Sequence, residues 1–400
     1  MNALMKHFRA LLPVAAALLV PTVCVQAARA AADAPPAAAA QPAQPAGAEK
    51  PAQATTPGPA AKATDAATAD ASGKIPKATV ITLGERGGKD EVGIYLTEQQ
   101  LKQVYPMLLE DLGDDGSGVV VFRVTSGGGL GLEVQRISDE IQNVYKKHFR
   151  VVAWIDSAIS AAAMSSHCIE EIYFTPQGNY GACTGWHGAL IAAKGRDLED
   201  MLYQMEKISA RGGYDPQIMK SMQVMQPLSC TVEDSGQVKF YPDTNSGNIL
   251  LNPEGRILTL TADTALKIHF SRGTAEDLDQ LTKLMGYKEL NWIGERKKGF
   301  IWPISRAEKW SMDYRDKVFQ AENLFNADAA NYRQQIAAAE QAANRKERGV
   351  FVNRALGTLR KLKRSVEENP NFALMQFNMT PDQFMEWYKE QERALKDMMK

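Results

Sequence analysis

Apolar positions in the middle of the chain follow two rhythms that alternate. Short runs rich in β-branched residues, Ala78 to Leu83, Val119 to Val124, Val151 to Ile155 and Glu171 to Phe174, read as strands. The nearly unbroken Val119-Val120-Val121-Phe122 run predicts a strand covered on both faces. Between them lie helical spacings: Ile94 to Leu112 with Leu101, Val104, Tyr105, Leu108 and Leu109 on one side, and Glu133 to Lys147 with Val134, Ile137, Ile141 and Val144. Ser160 to Cys168 reads as a short helix of small residues. Strand, helix, strand, helix, strand predicts a parallel, layered α/β sheet.

Beyond this core, helices are expected over Asp197 to Ala210, Asp215 to Met225, Thr261 to His269 and Ala275 to Met285. A β-rich excursion from Thr231 to Leu260, punctuated by Asp234-Ser235-Gly236 and Asn252-Pro253-Glu254-Gly255, is a candidate lid. Asn291 to Trp310 is a basic connector bearing Trp292, Trp302 and Trp310. From Ala307 to Lys400 the chain is rich in Ala, Gln, Glu, Lys and Arg at helical spacing, broken at Asn369-Pro370 and Thr380-Pro381-Asp382. This C-terminal part reads as a packing or oligomer-forming arm.

The start of the chain changes the picture. Lys6 and Arg9 precede an apolar run from Ala10 to Val25 and small-x-small sites ending at Ala27 and Ala30, the three parts of a secretory signal peptide. The run falls short of the ~20 residues of a spanning helix, so cleavage and export are expected in preference to an uncleaved anchor. Residues 31–76, mostly Ala, Pro, Gln, Thr and Gly, have little to bury and read as a disordered linker. The expected division is therefore signal peptide 1–30, linker 31–76, an α/β domain 77–286 and a helical region 287–400. With 46 basic against 47 acidic residues, the overall balance gives no reason to expect nucleic acid or an anionic surface as the main partner. Past the leader remain Cys168, Cys183 and Cys230, without a CxxC pair or His/Cys ligand spacing, so neither a metal nor a cofactor is expected.

Three segments carry candidate chemistry: Val124-Thr125-Ser126-Gly127-Gly128-Gly129-Leu130, Ala153-Trp154-Ile155-Asp156-Ser157-Ala158-Ile159-Ser160-Ala161-Ala162, and Glu171 through Pro176 to Gly181-Ala182. Together they resemble the Clp protease/crotonase superfamily, and most of all its signal peptide peptidase A and NfeD-type serine protease branch. The likeness runs from about Lys77 to Gly286. It implies a core of stacked βα units in a superhelix, self-association into rings or stacks, and a peptide or protein substrate.

By that match Ser160 is the nucleophile, with Ser157, Ser165 and Ser166 as rivals out of register. A serine opening a helix can equally be an N-cap. Gly128 and Gly129, with Ala161 after the serine, match the backbone N–H donors of the oxyanion site. Thr125, Gly127 and Ala162 depart from the family's Asn, Pro and Gly. For the base, Lys194 matches the NfeD-type lysine, which must be desolvated to take a proton. His187 is the competitor; the register of the Clp histidine falls on Cys183, and His167 reads as structural. The leading function is an exported serine peptidase. A catalytically silent scaffold that binds peptides, and crotonase-like acyl chemistry, are the alternatives; export disfavours the latter because CoA is cytoplasmic.

Overall fold

The computed structural model describes residues 75–187 and 191–400, the side chains of 186–192 excepted. The expected signal peptide, and the linker up to residue 74, lie outside the described residues. Among these residues contacts separate two compact units, one reaching Gly185 and resuming over Ala192–Asn326, the other comprising Ala327–Lys400 with Trp186–Ile191.

The first unit is a mixed α/β structure built on a largely parallel sheet. Its first half runs β1 (Lys77–Leu83), β2 (Glu91–Val92), α1 (Glu98–Leu112), β3 (Val119–Ser126), β4 (Gly128–Gly129), α2 (Leu132–Glu140), β5 (Arg150–Ile159) and α3 (Ala161–Ser166). A π-helical turn, Ile141–Tyr145, prolongs α2 toward His148. There follow β6 (Ile172–Phe174), β7 (Asn179–Gly181), α4 (Gly195–Gly212) and α5 (Pro216–Gln223), while β8 (Trp186–His187) and the first residue of β9 (Ile191–Ala192) fall in the other unit. The remainder is β10 (Leu228–Val232), β11 (Val238–Tyr241), β12 (Ile249–Asn252), β13 (Thr259–Thr261), α6 (Ala262–Lys267), α7 (Leu278–Leu284), β14 (Asn291–Trp292) and the start of α8 (Arg306–Gln341).

Seven strands form the main sheet in the order β13-β7-β5-β3-β1-β14, with β6 also on β5. All its pairs are parallel except β13 on β7. Because side chains alternate across a strand, Ala78, Val80, Val119, Val121, Val152 and Trp154 share one face, where Leu278, Leu281 and Met285 bury them. On the other face Phe122 meets Tyr145 with ring centroids 5.4 Å apart, and Leu101, Ile137 and Ile141 close over Leu83 and Val124. Double coverage is what the unbroken apolar run of β3 predicts.

One expectation is corrected here. The first helix starts at Glu98 and not at Ile94, because Thr97 takes the N-cap and accepts from the Gln100 N–H. The start of α8 is bonded into the same unit as the α/β core. Thr82 donates from N–H and Oγ1 to the buried Glu308 carboxylate at 2.8 and 2.6 Å, and the buried Arg315 donates to Thr82 O and Oγ1.

The excursion forms its own antiparallel sheet, β11-β10-β12. Its turn at Gly236 meets the His269 ring, and its return at Leu258 lies beside Ala182. In the second unit α9 (Arg345–Glu368), α10 (Asn371–Phe377) and α11 (Pro381–Asp397) bury Leu359, Leu362, Phe372 and Phe384. The break at Thr380 is a capping box with Gln383.

Candidate active site

Ser160 stands at the junction of β5 and α3 with φ 54° and ψ −127°, a conformation that few non-glycine residues adopt. Its N–H donates to Gly181 O at 2.9 Å, fixing the turn against β7. The hydroxyl caps nothing in α3, so the N-cap reading fails. A serine on a strained turn between strand and helix, with its side chain unengaged, has the local form of a nucleophile elbow. Strain of this kind costs about 1–3 kcal/mol and has to be held by the surrounding contacts.

The glycine turn is in direct contact with it. A Cβ on Gly128 would lie 2.5 Å from Ser160 Cβ and 3.1 Å from its Oγ, and Gly128 has φ +102°. Gly129, at φ +150°, has its backbone against Val92, where a Cβ would lie 2.3 Å from the carbonyl oxygen. Both glycines are required, one by Ser160 and the other by the short parallel pairing of β2 with β4. Ala161 is the first residue of α3 and is buried.

The turn is held by Asp90, which sequence reasoning missed. Its carboxylate accepts the Gly127 N–H at 2.9 Å, its carbonyl accepts the Ser126 hydroxyl, and Ser126 Oγ in turn accepts the Gly128 N–H at 3.1 Å. The Gly127 bond gives a physical reason for the departure from proline, which has no N–H to donate.

A second missed residue is Asp156, the extra residue where β5 slips register against β3 between Val124 and Thr125. Arg86 grips its carboxylate at 2.8 and 2.6 Å, with Arg123 at 3.6 Å and the Thr125 hydroxyl at 3.2 Å. Burial pushes the Asp156 carboxyl up, but the Arg86 hydrogen bond and the charges of Arg123 and Arg86 outweigh it and hold it below its usual range. Thr125, where the family has Asn, is thus committed to Asp156. The only hint in the sequence is a charge inside an otherwise apolar strand.

The rival serines are occupied. Ser165 and Ser166 donate to Ala161 O and Ala162 O within α3, and Ser157 donates to Asn179 Oδ1. His167 is fully buried among Tyr180, Tyr214 and Phe270, and burial lowers its pKa to about 3. Cys183, at the histidine register, is buried with Sγ 3.7 Å from Ser160 O, and burial pushes its thiol up. All three described cysteines are free and buried.

Neither candidate base is joined to Ser160 by the described geometry. Lys194 is the exposed residue just before α4, so the desolvation a base at this position needs is not met. His187 lies in β8, and its side chain is outside the described residues. No metal-holding group of His, Cys, Asp and Glu occurs among the described residues.

The chain is similar to membrane protein NfeD1b of Bacillus subtilis. The two are 26% identical over 210 residues, which is 52% of this chain and 43% of the relative, so the chain spans less than half of that protein's length. The expected NfeD-type kinship is thereby met as a similarity, without distinguishing the signal peptide peptidase A branch. No family model matches. A solved structure of the 1510-N membrane-bound stomatin-specific protease, in mutant form, aligns with a TM-score of 0.39 at 16% identity, over 53% of this chain and 85% of that one. No described helix is long and apolar enough to cross a membrane.

Proposed function

We propose that the protein is an exported serine peptidase of the Clp type, with a superhelical arrangement of βα units and Ser160 as nucleophile. The observation that carries this reading is the contact of the strained, uncapped Ser160 with the bare backbone of Gly128. In the reaction Ser160 Oγ attacks a peptide carbonyl while its proton passes to Lys194 or His187. The backbone N–H groups of Gly128, Gly129 and Ala161 receive the oxyanion, each such donor supporting the transition state by about 3 kcal/mol. The C–N bond then breaks, the amine leaves with the proton, and water hydrolyses the acyl enzyme. The peptide or protein substrate and self-association follow from the resemblance, and no cofactor takes part.

A second reading, a peptide-binding scaffold without catalysis, is favoured by two observations: Lys194 is exposed, and the Gly128 N–H is already donated to Ser126 Oγ. Fluorophosphonate labelling separates the two. The peptidase reading expects labelling that disappears in Ser160→Ala, and a fall of at least a hundredfold in whichever of Lys194→Met and His187→Ala removes the proton acceptor. Labelling unchanged in Ser160→Ala refutes the nucleophile, and no labelling of the wild type supports the scaffold.

A further inference from the structure

The connector between β14 and α8 folds into a hairpin that the peptidase chemistry does not use. Glu295 and Ile304 close it with reciprocal backbone bonds of 2.9 Å, and Gly299 turns the tip at φ +91°. Its base is firmly set: Trp302 packs edge-on to Trp154 with centroids 6.5 Å apart, and the Arg123 guanidinium lies 4.3 and 5.0 Å from the two rings. The tip carries Arg296, Lys297 and Lys298 in succession, then Phe300 and Ile301, which are 38% and 51% exposed. A pocket of about 320 Å³ is lined by both the cationic and the apolar side chains. Lys297 has only the exposed Glu295 at 3.8 Å, and Arg296 and Lys298 pair with no described acid.

We infer that this hairpin seats on the surface of an anionic lipid bilayer, with Phe300 and Ile301 entering the headgroup boundary and Arg296, Lys297 and Lys298 facing lipid phosphates. Adjacent cations complement an anionic surface, while exposed apolar side chains beside them gain by leaving water at the same interface. A near-zero net charge does not oppose this, because attraction to a membrane falls off within a Debye length and is decided by the local cluster. The charge count alone, which argued against an anionic surface, averaged this cluster away.

The test is flotation of the full-length protein with vesicles of phosphatidylcholine alone or mixed with phosphatidylglycerol. A polarity-sensitive fluorophore on Ile301→Cys, in a Cys24→Ser background, localises the contact. The mixed vesicles are expected to shift the emission to the blue, and Lys297→Gln with Lys298→Gln to lower partitioning roughly 30-fold, about fivefold per cation. Equal flotation of wild type and this variant, an unshifted fluorophore, or the same shift with neutral vesicles would overturn the assignment. So would polyglutamate reproducing the shift without lipid, which would give the hairpin an acidic protein partner instead.

Discussion

Gly128 and Ser160 are packed so closely that a methyl group on the first would sit 2.5 Å from the Cβ of the second. Gly128 also has a φ of +102°, so alanine there is strained as well as crowded. Gly128→Ala is expected to cost about 2–4 kcal/mol of stability and to lower fluorophosphonate labelling at least tenfold. Gly127→Ala is the matched control, since a Cβ there meets only Asp90 Oδ2 at 3.6 Å. Chemical denaturation and labelling rates of the two variants check the pair.

Ser160 strains the backbone, and glycine would relax it. Ser160→Ala removes the hydroxyl but keeps a Cβ at φ 54°, whereas Ser160→Gly removes the Cβ too. Ser160→Gly should therefore be more stable than Ser160→Ala by about 1 kcal/mol, while neither reacts with the probe. Equal stabilities would mean that the turn is not held in this conformation in solution.

Asp156 tests whether the bulge before Ser160 is held by charge. Its carboxyl lies below its usual range, so its contribution is full above the unfolded value of about 3.9 and is lost as pH falls through the lower folded value. Asp156→Asn leaves Arg86 and Arg123 facing each other without an anion, a loss of about 2–3 kcal/mol at neutral pH. The difference between wild type and variant should shrink below about pH 4. Thermal unfolding across that range measures it.

The strands and their parallel order were legible because apolar runs and helical spacings are local signals, and Val119 to Val124 is readable without any partner. The close approach of Gly128 to Ser160 was legible only as a family likeness, since the two residues belong to different βα units. Asp90 and Asp156 were not legible, because each matters through backbone groups and arginines distant in sequence. Lys194 was placed by a family likeness, and a match of register does not specify what packs over a side chain. The start of α8 was read as an arm because Glu308 and Arg315 look like members of a solvated charge pattern. Their buried bonds to Thr82, more than two hundred residues earlier, have no counterpart in periodicity.

Two buried titrating groups should shape the pH dependence of stability in opposite directions. Burial pushes the Glu308 carboxyl up to about 7, against the pull of Arg315 and the Thr82 hydrogen bonds. The folded state therefore holds a proton that the unfolded chain releases at about 4.3, and stability falls as pH rises between those values, then levels off above about 7. His167 is held down to about 3 against about 6.5 in the unfolded chain, so its contribution rises with pH over that interval and is fully present above about 6.5. Where the windows overlap, from about pH 4.3 to 6.5, the slopes oppose each other, and these two groups together should leave wild-type stability nearly level. Glu308→Gln should expose the histidine slope, with stability increasing across the window. His167→Phe, which replaces a ring whose Nε2 has no partner, should expose the opposite slope. Each slope approaches about 1.4 kcal/mol per pH unit. Denaturation midpoints of wild type and both variants at several pH values would reveal it, and parallel profiles for all three would show that neither group titrates in the fold as assigned.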